Sequence, residues 1–89
     1  MATPVTRSQF SPASVRLRQW LVAARNARGL TQLQLADTLG RPQSFVSKYE
    51  RGERRLDFVE VLDIADALGA DLADLVAEIH HTARRSRRA

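Results

Sequence analysis

The sequence has no cysteine, which excludes disulfides and thiolate metal sites and suits a reducing compartment. It has no apolar run of membrane-spanning length and no charged-then-apolar leader at its start, so a cytoplasmic protein without membrane contact is expected. It has no glycine-rich phosphate loop and no nucleophile placed beside a base, so an enzyme is not expected. Histidine occurs only as the adjacent pair His80-His81. Neighbours on a helix point about 100 degrees apart, and no third imidazole or thiolate completes a set, so neither a metal nor any other cofactor is expected. Tryptophan occurs once, and Trp20 reads as an anchor of the core.

Positive charge is missing from one long stretch. Residues 57–83 contain no lysine or arginine and seven acids. Residues 1–56 carry ten cationic side chains against three acidic ones, and Arg84, Arg85, Arg87 and Arg88 close the chain. The net charge is only +4, yet the molecule has a cationic and an anionic part. Such a molecule orients itself in the field of a polyanion. Thirteen of the fourteen cations are arginine, which fits GC-rich coding.

Eighty-nine residues suggest one modest domain. Residues 1–10 are polar and aperiodic and read as a flexible N-terminal arm, residues 11–80 as the folded domain, and residues 81–89 as a basic C-terminal tail. Ser11 and Pro12 are suited to opening a helix as cap and first residue, with Ser14 as the alternative cap. Leu17, Trp20, Leu21 and Ala24 then recur at helical spacing, and Gly29 ends the run. Asp57 with Glu60 forms a capping box for a fourth helix, whose inner face is read as Phe58, Val61, Leu62, Ala65 and Leu68, broadened by Val59, Ile64 and Ala67. Its carboxylates, like those that follow, read as caps and exposed positions. Asp71 caps a fifth helix with Leu72, Leu75, Val76 and Ile79 in register, and the pattern fades from His80. No strand pattern, repeat or second domain is evident.

The centre of the chain is residues 31–52. Thr31 and Gln34 form a capping box. Leu35, Ala36 and Leu39 share one apolar face, and Gly40 suits a left-handed C-terminal position. Arg41-Pro42 makes the turn, with Pro42 able to start the next helix. In that helix Val46 and Tyr49 face inward. Gln43, Ser44, Ser47, Lys48 and Arg51 are left outside, an amide, hydroxyl and cation surface suited to base edges and phosphates. Phe45 can either pack on a thymine methyl or shield the turn.

The words Arg28-Gly29-Leu30-Thr31-Gln32, Leu35-Ala36, the run from Gln43 to Gly52, and Ile64-Ala65-Asp66-Ala67-Leu68-Gly69 occur in this order over residues 15–76. In these the chain resembles the helix-turn-helix DNA-binding domains of the phage repressor and Cro type, the Xre family. The resemblance implies an all-α fold of about five short helices, lambda-repressor-like. It implies base contacts at Gln43, Ser44 and Lys48, a phosphate contact and a buttress for the recognition helix at Gln32, and a structural ion pair between Arg25 and Glu50. Phe45 and Pro42 depart from the small or polar residues usual at their positions. From the residues themselves, Ser47 is a further base or backbone contact, and Arg41, Arg51, Arg54 and Arg55 form a phosphate clamp around the helix.

The expected function is sequence-specific binding of double-stranded DNA by a transcriptional regulator, a repressor of bacterial or phage origin working at the nucleoid. One helix reads few base pairs. A homodimer on a palindromic operator, with half-sites ~34 Å apart, is the expected remedy. Val59, Leu72, Leu75, Val76 and Ile79 are the candidate interface. Two alternatives stand beside this reading. One is an antitoxin or restriction–modification controller that represses its own operon and binds a protein partner. The other is a protein–protein adaptor using the same fold.

Overall fold

Local polar pairs set where most of the helices begin. The computed structural model describes residues 10–88, which form α1 Pro12–Ala27, α2 Gln32–Leu39, α3 Gln43–Glu50, α4 Phe58–Ala67 and α5 Leu72–Arg88. Ser11 Oγ accepts from the Ser14 amide at the head of α1. Thr31 with Gln34 and Asp57 with Glu60 form complete capping boxes on α2 and α4. Asp71 accepts from the Ala73 amide at the head of α5. Such caps satisfy amides that have no partner within the helix, each contributing about 1 kcal/mol. At α3 the reading shifts by one residue. Pro42 is the N-cap, in extended backbone, and no side chain caps the helix. No strand occurs among the described residues. The arm expected over residues 1–10 lies, apart from Phe10, outside them.

Gly40 ends α2 at φ 67°, the left-handed region that lets the Gly40 and Arg41 amides turn back to the carbonyls of Asp37 and Ala36. This is the tight turn between α2 and α3. The two helices pack on each other, α1 packs along α5, and α4 lies against α2. One core joins them. Leu21, Leu35, Ala36, Val46, Tyr49, Ile64, Leu68 and Leu75 are essentially inaccessible, with Leu17, Trp20, Leu39 and Ile79 packed on their margin. Arg28 caps the far end of α4 by donating to the Leu68 carbonyl, 2.6 Å away. Arg16 reaches across from α1 to Glu78 on α5 at 2.9 Å.

Three expectations need correction. The inner arc of α4 runs through Glu60, Val61, Ile64, Ala65 and Leu68, while Phe58 and Val59 are 66% and 63% exposed. Glu60 is drawn inward by arginines, and at about 100° per residue this turns Phe58 to the rim of the arc and Val59 to its far side. Leu75, a candidate interface residue, is 2% exposed and belongs to the core of its own chain. Finally, the basic end from residue 81 is not separate from the last helix, since α5 continues through Arg88, with Thr82 and Ala83 half-buried.

Candidate nucleic-acid interface

α3 turns two faces in different directions. Phe45, Val46 and Tyr49 point into the core, and Gln43, Ser44 and Lys48 are exposed. Ser47 is half-buried, and its hydroxyl donates to the Ser44 carbonyl at 3.3 Å. Phe45 therefore shields rather than reads. It is 7% exposed and meets Tyr49 edge-on, with ring centroids 5.6 Å apart.

The floor under this helix is ionic. Glu50, at its last turn, accepts from Arg25 Nε at 2.7 Å and Nη2 at 3.0 Å, and from the Gln32 amide nitrogen at 2.8 Å. Arg25 also donates to the Leu30 carbonyl at 2.7 Å. The two charged side chains are 12% and 6% exposed. The hydrogen bond to Glu50 raises the Arg25 pKa above its ordinary value, so the guanidinium stays charged. Gln32 thus ties the first residue of α2 to the end of α3. Beside them burial holds the Tyr49 hydroxyl in its neutral form.

Each carboxylate near the exposed face of α3 is neutralised or turned inward. Glu50 is buried under the helix. Arg51 forks onto Glu53 at 2.8 and 3.2 Å, an exposed pair in which the arginine lowers the Glu53 pKa. Glu60 takes Arg54 at 3.0 and 2.9 Å and Arg41 at 3.3 Å. The guanidiniums of Arg41 and Arg54 also lie 4.4 and 4.8 Å from the centre of the Phe45 ring. Of the four arginines of the expected clamp, three are therefore held by carboxylates of the same chain. Arg55 and Lys48 make no ion pair among the described residues. A cationic, hydrogen-bonding surface results on which the exposed Glu53 is paired with Arg51, and it suits a polyanion.

Sequence reasoning missed the role of Glu60. The capping box with Asp57 was visible, but the same carboxylate is 8% exposed and gathers two arginines from either side of α3. The signal available was the pair Arg54-Arg55 just before a capping glutamate. It does not distinguish a buried acid from an exposed one.

Behind Gly52, whose φ is 80°, the Arg18 guanidinium lies within 2.9 Å of where a Cβ would stand. Glycine takes this left-handed turn without strain, and the flexible end of the Arg18 side chain occupies the space behind it.

Two short helices joined by a glycine turn, the second with a polar, cationic outer face, define a helix-turn-helix DNA-binding module. The helix-turn-helix family model HTH_3 matches residues 21–75. The solved structure of an XRE-family like protein from Pseudomonas syringae pv. tomato str. DC3000 is similar with a TM-score of 0.77 and 40% identity, over 89% of this chain and 96% of that one. No curated protein matches. The chain belongs to the Cro/C1-type helix-turn-helix family, the XRE family of DNA-binding regulators.

Proposed function

We propose that this protein is a sequence-specific transcriptional repressor that places α3 in the major groove of double-stranded DNA. The observation that carries the reading is the exposure of Gln43, Ser44 and Lys48 on a face whose neighbouring carboxylates are all paired or buried. Gln43 can pair with adenine N6 and N7, and Lys48 with guanine O6 and N7. Ser44 and Ser47 make shorter contacts. Gln32, Arg41, Arg51 and Arg55 meet phosphates and fix the register, and a bound repressor excludes other proteins from the same stretch of duplex. Selection of duplexes from a random pool tests this. The wild type recovers a consensus, and Gln43→Ala and Lys48→Ala each lose discrimination at one position by about 1–3 kcal/mol. A pool without a consensus refutes the reading.

The same proposal includes a two-fold dimer on a palindromic operator. Its support is an apolar cleft of about 370 Å³ along α5, lined by Leu17, Phe58, Val61, Leu72, Val76 and Ile79 among others. Leu72, Val76 and Ile79 remain the interface residues on this cleft, Val59 stays a candidate as an exposed apolar residue outside it, and Leu75 is withdrawn because the core already covers it. Sedimentation at micromolar concentration that finds only monomer, with and without DNA, removes the dimer.

A further inference from the structure

The recognition helix is flanked by two turns, and one buried carboxylate reaches both. Arg41 stands in the turn before α3 and Arg54 in the loop after it. Both guanidiniums rest on Phe45, a residue of α3 itself. Both also bond the same oxygen of Glu60, Arg54 at 2.9 Å and Arg41 at 3.3 Å. The other oxygen takes Arg54 at 3.0 Å and the Asp57 amide at 2.9 Å, which fixes the carboxylate in the first turn of α4. Without it two guanidiniums crowd one ring and repel each other.

The two arginines are not equivalent. Arg54 spends both terminal nitrogens on Glu60, and one of them also on the Arg55 carbonyl at 2.8 Å. It is a brace. Arg41 gives Glu60 a single N–H, and its side chain is 42% exposed. The rest of its fork points outward at the start of the helix that enters the groove, where a phosphate can take it bidentately.

We propose that Glu60 is a positioning residue for DNA binding. By clamping Arg41 and Arg54 across Phe45, it holds the Arg41 fork in register with α3 so that one backbone phosphate fixes the docking of the helix. This rests on the groove-binding reading above. It predicts a sign opposite to that of simple electrostatics. Removing a carboxylate near the interface should by charge alone tighten binding to every duplex. If Glu60 positions Arg41, its loss weakens binding to the selected operator while binding to unrelated duplex stays or rises.

The experiment measures affinity for the selected operator and for an unrelated duplex across a salt series, with wild type, Glu60→Gln, Arg41→Lys and the double variant. Glutamine at residue 60 keeps the capping box, and circular dichroism confirms the fold. Glu60→Gln and Arg41→Lys are each expected to lower operator affinity about tenfold, the scale of one lost oriented contact, and Glu60→Gln, which leaves every cation in place, is expected not to lower affinity for unrelated duplex. In the Arg41→Lys background Glu60→Gln has no further effect, because both act through one contact. Equal strengthening on both duplexes, or no change on either, overturns the proposal. So do fully additive losses. Should Glu60→Gln not fold, Arg41→Lys decides alone, since it keeps the charge at an exposed site, and wild-type operator affinity in it overturns the proposal. A wild type that ignores all duplexes fells the groove-binding reading and this one together, whereas a wild type that binds with unaltered variants fells only this one.

Discussion

Glu50→Ala separates support from reading more sharply than any change on the outer face. The carboxylate is 6% exposed and receives three hydrogen bonds, two from Arg25 and one from Gln32. Its removal leaves a guanidinium, itself 12% exposed, with only the Leu30 carbonyl. Breaking a buried pair in this way costs ~3–5 kcal/mol. The retained carbonyl bond and partial exposure of Arg25 place this case near the lower end, ~3 kcal/mol. A domain of this size has a total stability of roughly 4–13 kcal/mol. At ~4–8 °C per kcal/mol, the melting temperature should fall by roughly 12–24 °C. Thermal melts followed by far-UV circular dichroism measure it. Glu50→Gln, which keeps the volume and one acceptor oxygen, should lose much less. Base preference below the melting point should be nearly that of the wild type. A Glu50→Ala protein that melts within ~4 °C of the wild type, or one that melts normally and selects a different consensus, would refute the assignment of this pair to the scaffold.

Other outcomes follow from burial and charge. Leu75→Ala should cost ~2–5 kcal/mol in a melt, because it opens a cavity in the core, whereas Val76→Asp, on the exposed side of the same helix, should leave the fold intact and abolish any dimer seen by sedimentation. The carboxyl of Glu60 is held from an ordinary value of 4.5 down to about 2, chiefly by the Arg54 hydrogen bond. Its contribution to stability is therefore complete above about pH 4.5 and is lost as pH falls through 2, because the unfolded chain takes up the proton first. Melts between pH 6 and 2 should decline below about pH 4.5 in the wild type and more shallowly in Glu60→Gln.

The helices were legible wherever their limits are set by neighbours in sequence. Thr31 with Gln34, Asp57 with Glu60, Ser11 before Pro12 and the glycine after α2 all act within a turn, and all stand in the folded chain as the pattern suggests. The outward set Gln43, Ser44 and Lys48 follows from Val46 and Tyr49 facing inward, so it too could be read. What could not be read depends on residues far apart in sequence. Phe45 is buried because Arg41, Arg54 and Tyr49 close around it. Phe58 is exposed because Glu60, nineteen residues from Arg41, takes the inward position instead. The fifth helix outlasts its apolar stripe because Thr82 and Ala83 still find cover after the hydrophobic pattern has faded.

Four of the five helices have their opening amides closed by a side chain of the same protein, and α3 alone begins at a proline that has neither an N–H nor a capping oxygen to offer. A helix start that no side chain caps leaves the positive end of the helix dipole uncovered, which favours an anion placed there. Among the described residues the head of α3 is the one helix start that no side chain of the same chain caps.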